Sequence, residues 1–151
     1  MLKAILFSQF ICAALSASTT NWHKKTLAGI KFFEGFKAEK YYCCAGIPTI
    51  GYGCTKPSIV ALGSITEQHA AKVLAQEFEH VKNQGMEEVE VELNKHQLYA
   101  LTSFAFNCGM SNLRALVNGD GRLNEGNYKS VEKILPLYRM AGGRVKEGLV
   151  K

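Results

Sequence analysis

The chain has 151 residues, enough for one domain, with 47% hydrophobic and 21% charged residues, a balance that excludes a disordered chain. Its formal net charge of +5 favours an acidic partner such as nucleic acid, an anionic membrane or an anionic cell wall. Charge alone does not choose among them.

Met1-Leu2-Lys3 makes a short positive start, Ala4 to Leu15 is an apolar run broken only by Ser8 and Gln9, and small residues Ser16-Ala17-Ser18 follow. This is the layout of a secretory signal peptide over residues 1–18, with cleavage near 16–18. The run is short for a membrane span, which needs about 20 apolar residues. Export, without a lasting membrane span, is therefore expected, with a catalytic or binding domain over 19–151. Cleavage removes Cys12 and leaves Cys43, Cys44, Cys54 and Cys108. Four cysteines in an exported chain allow three full pairings, and the sequence does not select one.

From Trp22 to Phe33, apolar Leu27, Ile30 and Phe33 recur at helical spacing, and Gly35 marks the stop. Tyr41 to Gly53, rich in glycine, β-branched and aromatic residues, reads as short strands and turns. A second helix starts at Ser64 or Thr66, where Ser64-Ile65-Thr66-Glu67 fits a capping box. Ala70, Val73, Leu74, Phe78 and Val81 trace its apolar face, and Gln84-Gly85 ends or bends it. A third helix runs from about Lys95 to Asn107 behind the cap Asn94, with Leu98, Leu101, Phe104 and Ala105 as core. Asn118 to Gly121 is a turn, and Tyr128 to Met140 reads as a last helix before Gly142-Gly143. These elements predict an α+β fold, with a small β-hairpin lobe and a larger helical lobe.

Glu34 ends the first helix among Phe32, Phe33 and Phe36. A carboxyl held against aromatics loses hydration, which favours its neutral form and suits a general acid. Local sequence by itself fits a solvated helix end better, because glutamate is common there. The four histidines have no metal-ligand spacing, and Gly51-Tyr52-Gly53 lacks the remainder of a phosphate-loop fingerprint, so neither a metal nor another cofactor is expected.

The spacing resolves the ambiguity. Phe33-Glu34-Gly35-Phe36, followed by Ala45-Gly46-Ile47-Pro48-Thr49-Ile50-Gly51-Tyr52-Gly53, closely resembles the signature of glycoside hydrolase family 24, the phage-type lysozymes. That signature is a Glu, eight residues, an Asp or sometimes Cys, five residues and a Thr, which places Glu34, Cys43 and Thr49 on it. Leu93 to Leu101 with Ser103 to Gly109 is similar to the family's central helix, and Ala141 to Arg144 with Gly148 to Val150 to its closing segment.

The resemblance, covering about residues 24–151, implies a lysozyme-like fold with the active-site cleft between its two lobes. It implies an endo-β-1,4-N-acetylmuramidase that cuts bacterial peptidoglycan with inversion. Glu34 would protonate the leaving oxygen, while Cys43 and Thr49 would position and activate the attacking water. Thr55, Phe106 and Asn107 match positions that line the glycan cleft, although core packing serves Phe106 equally well. Cys43 replaces the commoner Asp. It could be a thiolate base, a disulfide partner of Cys54 or Cys108, or a redox switch, with Cys44 then left for the structural pairing. A signal-anchor retained by some relatives would let Cys12 exchange with Cys43.

Relatives usually continue into a basic helical tail, so the chain is expected to be shortened at its C-terminus. A monomeric enzyme acting on peptidoglycan, with no nucleic-acid partner, is the resulting expectation. The alternative is a catalytically weak secreted protein that binds the wall on the same fold. Dispersed basic residues and the absence of a recognition motif weigh against nucleic acid.

Overall fold

The computed structural model describes residues 22–43, 45–135, 138, 140–141 and 144–145. The expected signal peptide over 1–18, Cys12, Cys44, Gly142-Gly143 and the segment from Gly148 lie outside the described residues. The architecture is mostly helical with a small two-stranded antiparallel sheet, the α+β arrangement anticipated above. Two compact units are present, one formed by residues 24–79 and the other by Trp22–His23 with the chain from His80 onward.

In the first unit, helix α1 (Trp22–Glu34) leads into strands β1 (Lys37–Tyr42) and β2 (Pro48–Gly51). The N–H of Gly35 bonds back to the Lys31 carbonyl at 3.0 Å, and its φ of +65° is the left-handed geometry in which helices commonly stop. The strands pair Tyr41 with Thr49 and Tyr42 with Pro48, and a bulge between Lys37 and Tyr41 shifts the register. On its other edge, β1 is held by the 63–65 segment. Lys40 N–H donates to Gly63 and Ile65 N–H to Ala38. After β2, Ile50 and Cys54 exchange two backbone hydrogen bonds of 2.9 Å around the turn Gly51–Gly53.

A short helix α2 (Pro57–Val60) precedes α3 (Glu67–Glu87). Thr66 is its cap, since its hydroxyl accepts from the His69 N–H at 3.2 Å, while Ser64 bridges to Glu39. Of the apolar face read from the sequence, Ala70, Val73, Leu74 and Phe78 are buried and Val81 is half-buried. Helix α3 does not end at Gly85. A side-chain carbon there would lie 3.2 Å from Leu113, so the glycine permits a close helix approach rather than a stop.

In the second unit, α4 (Lys95–Cys108) starts at a complete capping box. Asn94 Oδ1 accepts from Gln97 N–H at 3.0 Å, and Gln97 Oε1 accepts from Asn94 N–H at 2.9 Å. Helix α5 (Met110–Asn118) occupies a stretch to which the sequence analysis assigned no element. Its Leu113, Leu116 and Val117 are wholly buried against Leu101, Phe104 and Ala105 of α4. A 3-10 turn (Leu123–Glu125) and α6 (Tyr128–Ile134) complete that core with Leu123 and Val131. The last helix is six residues shorter than expected: Met140–Ala141 (β3) instead pairs antiparallel with Arg144–Val145 (β4). In the sequence a proline follows at 136, a residue type with no N–H to continue a helix ladder.

Leu113→Ala is expected to remove about 2–5 kcal/mol of stability, the cost of a cavity at a fully buried leucine. Thermal unfolding would show this as a melting point lower by roughly 5–15 °C.

Candidate active site

Glu34 closes α1 and is half-buried. The turn after β2 carries Gly53 to its carboxylate: a side-chain carbon on Gly53 would stand 3.3 Å from Glu34 Oε2. Gly53 has φ +92°, which an L side chain rarely adopts, so both space and backbone call for glycine there. Of the three phenylalanines near Glu34 in sequence, Phe32 does not shield it. Phe32 is 82% exposed, with its ring edge-on to Phe33, whereas Phe36 packs against Tyr52.

Cys43 follows β1 directly and enters a tight turn. Its N–H donates to Ile47 at 3.0 Å and its carbonyl accepts from Gly46 at 2.8 Å. The Ala45 N–H, then that of Ile47, points at the sulfur, and with the Thr49 hydroxyl they hold the thiol below its ordinary pKa. Hydrogen bonds to the charged form explain the direction, since they favour thiolate. Thr49, 3% exposed, donates its hydroxyl to the Ile47 carbonyl at 2.9 Å. The Cys43 sulfur beside it is a second acceptor for the same hydrogen.

Tyr41 joins these groups. Burial first, then the negative charges of Glu34 and Cys43, push its phenol above the usual tyrosine range. Both charges therefore reach one hydroxyl, which gathers Glu34, Cys43 and Thr49 into one neighbourhood of the 24–79 unit. Sequence reasoning missed Tyr41. Its one signal was a position two residues before Cys43, on the same strand face.

The other sequence-derived residues fall on different elements. Thr55 is exposed in the link before α2. Phe106 and Asn107 belong to the other unit, at the end of α4, both half-buried. Asn107 Nδ2 donates to the Ser103 carbonyl at 2.8 Å.

Cys43, Cys54 and Cys108 are all free thiols, so neither pairing considered for Cys43 with Cys54 or Cys108 is present. Cys54 instead donates its S–H to Glu77 Oε1 at 3.3 Å, and Lys56 Nζ lies 3.5 Å from the same oxygen. Burial pushes the thiols of Cys54 and Cys108 up, the reverse of Cys43. Among the described residues no His, Cys, Asp and Glu cluster is arranged for a metal ion. None of the described helices is long and apolar enough to cross a membrane.

Several known proteins are similar to this chain. The profile of the phage lysozyme family matches residues 31–151. An endolysin of Bacillus phage B103 is 31% identical over 130 residues, covering 81% of this chain and 47% of that protein. The endolysin of Salmonella phage P22 is 32% identical over 119 residues, covering 75% of this chain and 80% of the relative. The chain thus spans about half the length of the Bacillus phage relative and most of the P22 one. Among solved structures, the endolysin from Escherichia coli O157:H7 phage FAHEc1 superposes with a TM-score of 0.69 at 26% identity, covering 88% of this chain and 87% of that one.

Two outcomes test the site. Iodoacetamide at neutral pH should label Cys43 well before Cys54 or Cys108, read by peptide mass spectrometry, because thiolate is the reactive form. Gly53→Ala should cut activity at least tenfold while costing only about 1–2 kcal/mol of stability for its left-handed backbone.

Proposed function

The chain belongs to the phage lysozyme family, and from that premise we propose that it hydrolyses the β-1,4 bond between N-acetylmuramic acid and N-acetylglucosamine in bacterial peptidoglycan, lysing the cell wall. The observation that carries this reading is the shared neighbourhood of a carboxyl group and an activated thiol, whose charges both reach Tyr41. Glycoside hydrolysis needs such a pair, one group to protonate the leaving oxygen and another to activate water across the sugar.

Glu34, in its protonated form, donates to the glycosidic oxygen. Cys43, as thiolate, takes a proton from water as that water attacks the anomeric carbon. Thr49 has its one hydroxyl hydrogen committed to the Ile47 carbonyl and the Cys43 sulfur, so its oxygen is left to accept from the water's second O–H. The water is then oriented with a lone pair toward the sugar. Thr55, Phe106 and Asn107 are proposed to contact the glycan further from the bond that breaks.

The rest of the reading follows from the sequence. Residues 1–18 would direct export, with cleavage near 16–18 and the catalytic domain after it. The net charge of +5 suits an anionic wall, and the protein would act as a secreted monomer.

Purified, reduced protein mixed with bacterial cell wall should release muropeptides bearing new reducing sugar ends. Glu34→Gln should lower that rate by about 100-fold or more, the usual worth of a positioned acid. Wall binding without new ends would contradict hydrolysis. The pH profile supplies a second check. Thiolate is the working form of Cys43, so activity should fall as pH drops through a thiol pKa below the ordinary value. Cys43→Asp should move that limb acidward by several pH units, toward the carboxylate reference near 3.9.

A further inference from the structure

Residue Tyr41 takes no part in the chemistry assigned above, yet its position is tightly specified. It pairs directly with Thr49 across the hairpin, and directly paired residues of antiparallel strands share one face of the sheet. Cys43 lies two residues further along, just past the end of β1, and its charge acts on the Tyr41 hydroxyl. Tyr42 alternates to the opposite face and is 65% exposed. The Tyr41 ring is braced from its own strand: Lys37 Nζ lies 4.1 Å from the ring centroid. A cation over the ring limits its swing without using the hydroxyl. The side chain is half-buried, so part of it remains open to a ligand.

We propose that Tyr41 is a substrate-contacting residue of this site, its hydroxyl donating a hydrogen bond to the saccharide where Glu34 and Cys43 act. The assignment rests on the peptidoglycan reading above. A phenol is suited to this place. It is a neutral donor beside two groups that carry or exchange protons, and burial first, then the charges of Glu34 and Cys43, oppose its ionisation, so it keeps its own hydrogen. Its flat face also offers apolar surface to a sugar ring, while the O–H marks one hydroxyl or acetamido oxygen of that ring.

The position could instead serve Cys43, by donating to the thiolate. The two roles separate experimentally. Tyr41→Phe keeps the ring and the Lys37 contact and removes only the hydroxyl. Four quantities should be compared between wild type and this variant: the melting temperature, kcat and KM on soluble peptidoglycan fragments, the pH–rate profile, and the pH dependence of iodoacetamide labelling at Cys43. The expected result is an unchanged melting temperature and an unchanged labelling midpoint. The kcat/KM should fall about fivefold to tenfold at every pH, the worth of one neutral hydrogen bond. Wild-type kcat/KM in the variant would overturn the proposal. So would a labelling midpoint shifted toward higher pH, which would make Tyr41 a positioning residue acting through Cys43.

A binding measurement keeps this test separate from the hydrolytic reading. Affinity for a soluble peptidoglycan fragment is measured in Glu34→Gln and in Glu34→Gln with Tyr41→Phe. Weaker binding by the double variant supports the contact even if wild type releases no reducing ends, in which case only the hydrolytic reading fails. Equal affinity together with equal kcat/KM removes the contact and leaves hydrolysis standing.

Discussion

The antiparallel register of β1 on β2 is the constraint on which the site depends. Because side chains alternate along a strand, a slip of one residue would turn Tyr41 and Cys43 away from Thr49. Several features hold the register. The bulge between Lys37 and Tyr41 absorbs the irregularity before the functional residues begin. The Cys43–Ile47 turn closes the hairpin, and the 63–65 segment grips β1 from its other edge. Thr49 is itself buried, so moving it would bring a hydroxyl out of its hydrogen bond with Ile47. The same hairpin leads into the turn that sets Gly53 against Glu34, so the end of α1 and the hairpin carrying Cys43 are tied together.

The electrostatics of the three described free cysteines follow from what surrounds each sulfur. Cys54 is buried and Cys108 half-buried, and in both burial disfavours a thiolate; at Cys54 it outweighs the backbone N–H and the charge of Lys56. Cys54 is further held as a thiol by giving its hydrogen to Glu77. Cys43 meets backbone N–H groups at the end of a strand, where the chain turns and its donors converge. Such donors are fixed by the fold and need no reorganisation when charge develops, the property that makes backbone amides effective in active sites. The base role proposed for Cys43 draws on these donors, which favour its thiolate.

Much of this was legible in the sequence, and the failures are instructive. Asn94 with Gln97, and the apolar face of α3, are local signals that carry their meaning over four to twelve residues. The spacing of Glu34, Cys43 and Thr49 was equally readable, because it lies within a single hairpin and the helix before it. Helix α5 was not, since Gly109 reads as a stop and Ser111-Asn112 as a turn. Burial of Leu113, Leu116 and Val117 against α4 overrides that local preference. Phe32 misled for a geometric reason. Two residues along a helix is a rotation of about 200°, so burying Ile30 turns Phe32 outward. Gly85 misled in the opposite sense, as a glycine chosen for close packing inside a helix. Tyr41 gained significance only from the register and the bulge, neither of which composition or periodicity reveals.

The central claim is that Cys43 activates water and does not itself attack the sugar. The most direct measurement is proton NMR of the first products released from soluble peptidoglycan, before the anomers equilibrate. Direct attack by water on a β-linkage gives the α-anomer of N-acetylmuramic acid at the new reducing end, and that is the expected product. An initial β-anomer would mean a covalent glycosyl–enzyme intermediate and would contradict the assignment of Cys43 as a base.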